Sequence, residues 1–223
     1  MKVAVLFSGG KDSCMALYYA SEEHEIKCLI TVFSENSDSF MFHTPNIKWA
    51  KKQAEAIELP IIFEKTKGKK EEELLDLKKA IKKAKEKYGI EGIVTGALAS
   101  VYQASRIKKI CDELGLKLIN PLWQKDQFEL LKEIVKYGFE VIVTRVAAEG
   151  LENFIGRKID EQFIKDIKKV HEKYKVNVAG EGGEFESFVL WAPFFKKRLK
   201  ILKSAVKGKE LDKLFVIKKI RMV

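Results

Sequence analysis

The sequence predicts a doubly wound α/β fold: a five-stranded parallel sheet followed by a smaller α+β C-terminal domain. Three observations carry that expectation. Between residues 2 and 119, short continuously apolar runs alternate with amphipathic stretches of helical period. Unbroken apolar runs suit strands covered on both faces, and strand–helix alternation argues right-handed βαβ units. Glycine turns follow the first and fourth runs, and ligands of open α/β sheets sit outside the carboxyl ends of strands.

Taken in order, residues 2–7 form the first strand and Lys11 to Glu23 the first helix. Ile26 to Phe33 is a second strand, followed by a polar and then aromatic loop over residues 34–45. Ile47 to Ile57 reads as helix and Pro60 to Phe63 as a third strand. Lys67 to Tyr88 is strongly charged, but Leu74, Leu77, Ile81, Ala84 and Tyr88 recur at helical spacing, giving a surface helix with one apolar stripe. Gly92 to Ala97 is a fourth strand running into a glycine turn, Ala99 to Leu114 a helix, and Lys117 to Ile119 the fifth strand. Beyond Pro121 and Trp123 the pattern changes. Helices at Gln127–Tyr137 and Ile159–Tyr174 flank a strand at Phe139–Val146, and strands follow at Phe185–Trp191, Arg198–Val206 and Leu214–Met222. The expected division is residues 1–122 and 123–223, packed closely because no Pro-, Gly- or Ser-rich linker separates them.

Composition narrows the class. Of 223 residues, 46% are hydrophobic and 33% charged, enough apolar material for a packed core. No uncharged apolar run is long enough for a membrane span, and Met1-Lys2-Val3 leads straight into a core strand with no room for a signal peptide. Cys14, Cys28 and Cys111 are few, odd in number and far apart, which fits reduced core thiols and a cytoplasmic location. The net charge of +10 would suit a polyanion, but the lysines are interleaved with glutamates, so nucleic acid is not the expected partner. Abundant Lys, Glu and Ile resemble the usage of thermophile proteins. A homo-oligomer is compatible with the sequence.

Two stretches carry chemistry. Ser8-Gly9-Gly10-Lys11-Asp12-Ser13 joins the first strand to the first helix. That geometry aims free N–H groups and the positive end of the helix dipole at an anion. The glycines let backbone approach a phosphate, Ser8 and Ser13 add hydroxyls, and Asp12 makes sense beside phosphate if a divalent cation lies between. The Walker A spacing is absent. The second stretch is Gly180-Glu181-Gly182-Gly183-Glu184-Phe185-Glu186-Ser187. In an extended segment Glu184 and Glu186 share one face with Phe185 on the other, and such paired carboxylates call for a cation, a proton or a positive substrate. Elsewhere, His43 is the most chemically capable residue of the 34–45 loop, and Arg106 could pair with phosphate or carboxylate.

The first stretch resembles the pyrophosphate loop of the N-type ATP pyrophosphatases (the PP-loop superfamily), whose members cleave ATP between the α- and β-phosphates. Together with Met41-Phe42-His43-Thr44, Tyr102-Gln103-x-x-Arg106, Pro121-Leu122-Trp123, Gly156-Arg157 and Gly182-Gly183-Glu184-Phe185-Glu186-Ser187, it resembles the diphthine–ammonia ligase family over most of the chain. Val101 stands where many relatives carry Asp. The resemblance implies a HUP-like nucleotide domain and ATP as cosubstrate with Mg²⁺. It also implies a partner, translation elongation factor 2 bearing diphthine, whose carboxylate is adenylated and then amidated by ammonia. Ser8, Gly9, Gly10, Lys11, Asp12 and Ser13 would hold the pyrophosphate, with Asp12 on the metal, while Val32, Phe33, Gly96 and Ala97 frame adenine and ribose. Lys11, Asp12, Glu184 and Glu186 would be catalytic. His43, Tyr102, Gln103, Arg106, Trp123, Glu181, Gly182, Gly183, Phe185 and Ser187 would meet the acceptor. Glu184 or Glu186, helped by Phe185 or Trp191, would read the quaternary ammonium of diphthine or handle ammonia. No glutaminase nucleophile follows Met1, so free ammonia is the expected donor. The competing readings are a PP-loop tRNA-modifying enzyme (thiolation or lysidine type), disfavoured by the lack of paired cysteines, and a non-catalytic ATP- or AMP-binding regulator, which would not need the acidic cluster.

Overall fold

A computed structural model describes residues 1–34, 46–67 and 70–223, except for the side chains of Lys70 and Glu71. Within them, five parallel strands form one sheet in the order β3-β2-β1-β4-β5: β1 (Lys2–Leu6), β2 (Glu25–Ser34), β3 (Ile61–Thr66), β4 (Gly92–Val94) and β5 (Lys117–Ile119). The order reverses at β1, and crevices at such switch points take ligands in doubly wound sheets. Alternation within β1 explains the two covered faces. Val3 and Val5 point into one cluster with α1 (Lys11–Glu23) and α2 (Ala50–Ile57), while Ala4 points to the other with α3 (Lys70–Tyr88) and α4 (Val101–Glu113).

A second, antiparallel sheet has the order β7-β6-β9-β8, made from β6 (Glu140–Val146), β7 (Phe185–Trp191), β8 (Leu199–Lys209) and β9 (Asp212–Met222). It packs with α5 (Gln127–Lys136) and α6 (Glu161–Tyr174); the side chains of Asp126 and Asp160 cap these helices by accepting from the N–H groups of Glu129 and Phe163. One apolar cluster runs from Val3, Met15 and Leu17 through Leu130, Leu131 and Ile134 to Val143, Phe163 and Val189. α1 is thus a shared wall of both sheets, and its Tyr18 ring meets Phe139 edge-on at 5.9 Å.

The fold class is as the sequence predicts, with shifted ends. The helix expected from Ile47 opens as a 3-10 turn, Ile47–Trp49, before α2, and the third strand continues to Thr66. The last two strands are longer than their apolar runs, because lysines extend them into solvent. His43 and the rest of 35–45 lie outside the described residues.

Candidate active site

At the carboxyl ends of β1 and β4, a cavity of about 330 Å³ opens between the sheets. Its lining combines apolar side chains, from Leu6, Ile30, Val32, Leu77 and Ile107, with polar groups from Ser8, Gly10, Lys11, Asp12, Ser13, Thr95 and Gly96 of the N-terminal half and from Glu181, Glu186 and Ser187 of the C-terminal half. An apolar cleft with a few convergent polar groups is the usual form of a small-molecule site.

The loop after β1 is built by its own residues and by β7. Gly9 adopts φ +78, and a Cβ there would lie 1.9 Å from Gln53 Oε1. The Ser8 N–H donates to Ser13 Oγ at 3.3 Å and the Ser13 hydroxyl donates to the Gly10 carbonyl at 3.1 Å, which folds the loop over the first turn of α1. Gly10 is the N-cap and has no side chain to cap α1. Instead the Lys11 N–H donates to Ser187 Oγ at 3.1 Å, and the Val189 N–H donates to the Gly9 carbonyl at 3.0 Å. Residues about 180 positions apart in the sequence therefore share one anion-facing helix end. Gly96 is needed across the cavity: a Cβ there would meet Asp12 C at 2.7 Å and Ser13 N at 2.8 Å.

Lys11 is 2% exposed. Its ammonium donates to both Asp12 oxygens at 2.9 and 2.8 Å and to the Ala179 carbonyl, and lies 5.3 Å from the Phe185 ring centroid. Glu181 accepts from the Ala99 N–H at 3.3 Å; burial raises its carboxyl pKa, and nearby Asp12 pushes the same way. Glu186 is raised further, to about 7, by burial against the partial relief of Arg145. Arg145 forks onto Asp212 at 3.0 and 3.2 Å and reaches Glu186 only at 3.4 Å, so it compensates Glu186 incompletely. Among the described residues, the buried Glu186 Oε2 has no hydrogen-bond partner.

Several sequence expectations are redistributed. Glu184 and Glu186 do not share a cavity face. β7 starts at Phe185, and the Glu184 carboxylate turns back to accept from the Asn177 N–H at 3.1 Å, bracing the loop that carries Gly180 and Glu181. Phe185, Glu186 and Ser187 all line the cavity, next to a register shift between Val143 and Arg145 on β6; bulges re-aim side chains in this way. Trp191 does not line the cavity, and the Arg198 guanidinium lies 4.4 Å over its ring. Val32 and Ala97 line the cavity, whereas the Phe33 ring stacks on Phe63 at 4.6 Å. Gln103 lines it, but Arg106 lies 3.5 Å over the Tyr102 ring, and neither of these two reaches it. Gly9, Gly182, Gly183 and Trp123 also lie off its walls.

The sequence reading passed over Thr95, Gln53, Asn177 and Arg145. Thr95 donates to Asn120 Oδ1 at 2.5 Å and receives the Ala97 N–H at 3.3 Å, which shapes the β4 turn. Gln53, wholly buried, donates to the carbonyls of Gly9 and Val189 at 2.9 and 2.8 Å. A signal for it existed: Gln53 sits among Ala50, Ala54 and Ile57 on the apolar face of its helix.

The family models and the named relatives agree with one another. Residues 1–118 match the family model described as diphthamide synthase N-terminal domain, and residues 126–223 match the diphthamide synthase C-terminal domain. The chain belongs to the diphthamide synthase family. A relative named diphthine--ammonia ligase from Bos taurus is 35% identical over 229 residues, covering 92% of this chain and 85% of that protein. A Rattus norvegicus protein of the same name is 36% identical, covering 89% of this chain and 82% of its own length. The counterpart in Schizosaccharomyces pombe is 36% identical over 89% of this chain but only 36% of its own length, so the family domains there sit in a longer protein. Among the described residues of this family member, no helix is long and apolar enough to cross a membrane. All three of its cysteines are buried with raised pKa, Cys28 to about 12 and Cys111 to about 11, chiefly by loss of hydration. Such thiols do not supply the thiolate that sulfur transfer needs.

Proposed function

We propose that this chain is a diphthine–ammonia ligase acting in the cytoplasm, with residues 1–122 as its nucleotide domain and 123–223 as its substrate domain. One observation carries the reading: the Ser8–Ser13 loop and the Glu181–Ser187 stretch line the same cavity, bonded to each other through Lys11 and Ser187. An ATP site alone would have no use for a second, acidic half.

ATP enters with its phosphates over Ser8, Gly10 and Ser13 at the start of α1 and its base against the apolar wall around Val32 and Ile30. The acceptor carboxylate oxygen attacks the α-phosphorus; that O–P bond forms as the bond to the β-phosphate oxygen breaks. Lys11 and the α1 N–H groups take up the charge of the departing pyrophosphate. The donor set fits Mg²⁺ in its usual manner, with a carboxylate completed by substrate phosphates: Asp12 lies on the cavity wall, and among the described residues no three metal-type side chains gather into a cage. Such an ion would neutralise phosphate charge.

Ammonia then attacks the acyl carbon, the bond to AMP breaks, and one proton must leave the new nitrogen. Glu186 is suited to take it: its pKa near 7 lets it accept a proton at neutral pH, and among the described residues no N–H donor meets its Oε2. A quaternary ammonium has no N–H to give. The aromatic rings suggested for that group already face cations, Lys11 at Phe185 and Arg198 at Trp191, so ammonia is the better-supported ligand of Glu186.

The test is release of pyrophosphate and AMP with elongation factor 2 carrying diphthine, with and without ammonium. AMP and amide in equal amounts, dependent on both factor and ammonium, are expected. Turnover only with tRNA would make the chain a tRNA-modifying enzyme, and none with any acceptor would make it a regulator.

A further inference from the structure

The charge of this chain is not spread evenly. Residues 196–223 hold eleven lysines and arginines against Glu210 and Asp212, nine of the net ten positive charges of the whole chain. The remaining 195 residues are close to neutral, with lysines balanced by carboxylates and some directly paired, as in Lys78–Glu113, Lys83–Glu64, Lys108–Asp112 and Lys125–Glu133. Lys200, Lys203, Lys207, Lys209, Lys218 and Lys219 are exposed and, among the described residues, make no ion pair.

These residues sit on the β8–β9 hairpin at the edge of the second sheet, which also packs on the core through Leu199, Phe215, Ile217 and Ile220. β6 pairs with β9 only at Lys213 and Leu214, and β8 is an edge strand. In this ribbon, the half of β9 nearer the turn is held by side chains. Asn46 mimics a neighbouring strand by donating to the Phe215 carbonyl and accepting from the Ile217 N–H, both at 2.9 Å, and Trp49 Nε1 donates to the Ile217 carbonyl at 3.0 Å. Its tip touches the candidate site: Asp212 and the cavity residue Glu186 share Arg145. Leu202, Val206 and Leu211 are also 44, 54 and 47% exposed on it. Edge lysines can serve merely to discourage strand pairing between molecules, but exposed leucines and valine on the same ribbon work against that purpose.

We infer that the β8–β9 hairpin is a docking arm for an acidic face of the protein that carries the acceptor side chain. The inference rests on the reading above that the acceptor is borne by a protein. Unpaired cations steer an acidic partner, the apolar side chains bury against it, and the clamped β9 strand spares the ordering cost of a loose arm. A protein fits better than RNA, because the ribbon offers aliphatic groups and a free backbone edge rather than exposed aromatic rings on which bases stack. Its tip beside Arg145 would bring the partner's modified side chain to the cavity mouth.

The test compares the wild type with Lys203→Glu/Lys207→Glu/Lys209→Glu, measuring both binding of elongation factor 2 carrying diphthine and AMP formation. Affinity for the factor should fall about tenfold or more at ~0.1 M salt, with KM for the factor rising in step, while kcat and KM for ATP stay unchanged. The gap should close as salt is raised. The corresponding Lys→Gln set, which removes charge without adding any, should show a smaller loss of the same kind and keeps the test open if reversal unsettles the hairpin. Equal affinity of wild type and both variants overturns the docking arm and leaves the ligase reading intact. Binding of the factor through the hairpin without AMP formation supports the arm and overturns the ligase reading. A wild type that does not bind the factor, or a hairpin whose loss affects tRNA binding alone, overturns the arm.

Discussion

At Glu186 the surroundings override what the residue type alone would do. By type it is a carboxylate that ionises near pH 4.5; burial beside an already engaged Arg145 raises it to about 7. In the folded protein the neutral form is favoured, so between roughly pH 4.5 and 7 the native state binds more protons than the unfolded chain. Stability contributed by this group is therefore present at low pH and lost as pH rises through about 7. Activity runs the other way, because a proton acceptor must be ionised. Glu186→Gln should lower kcat on the order of 100-fold, typical of losing a general base, and abolish the rising limb of the pH–rate profile near 7. Its Tm should also fall less than that of the wild type between pH 5 and 8. A variant that kept the limb would move the proton acceptor to another group, with Glu181 next in line. That a carboxylate would matter in Glu181–Ser187 was legible in the sequence. Which one faces the cavity was not, since Glu184 turns away to the Asn177 N–H, a contact set by the path of the loop.

At the scale of elements, the site is the meeting of two turns, one after β1 and one after β4. Gly96 lets the second approach the first, and the space a Cβ would need is taken by the backbone of Asp12 and Ser13, which cannot swing aside as a side chain can. Gly96→Ala should cost about 1–3 kcal/mol by overpacking. For a chain of this size that lowers Tm by roughly 2–4 °C per kcal/mol. The same variant should raise KM for ATP, because the strain falls on the first turn of α1. Thermal denaturation and ATP titration check the two effects separately, and an unchanged Tm would mean that the turns are further apart than described. The strand–glycine–helix pattern made both turns readable from sequence. The contribution of β7 to the first turn was not, because hydrogen bonds from Lys11 to Ser187 and from Val189 to Gly9 leave no periodicity in either segment.

At the scale of the whole molecule, the two sheets are tied by a shared apolar cluster and by a few buried polar links. Gln53 is the clearest of these, donating from α2 to the loop after β1 and to β7 at once. Gln53→Leu would leave the Val189 carbonyl buried without that donor, at a cost of about 1–3 kcal/mol, offset in part by removing the unpartnered Gln53 Oε1. A fall in Tm of several degrees with a weakened KM for ATP is expected; a Tm loss with unchanged ATP kinetics would confine Gln53 to stability.

The parallel sheet, its helices and the glycine turn after β1 follow from local pattern, because apolar period and glycine placement act over a few neighbouring residues. The sequence also marked the acidic stretch as unusual. The fold alone brings Glu186 rather than Glu184 into the cavity and sets the tip of the lysine-rich β8–β9 hairpin, through Asp212, on the Arg145 that also meets Glu186. These depend on contacts between residues tens to hundreds of positions apart, and on how much water each group loses, which local pattern does not encode.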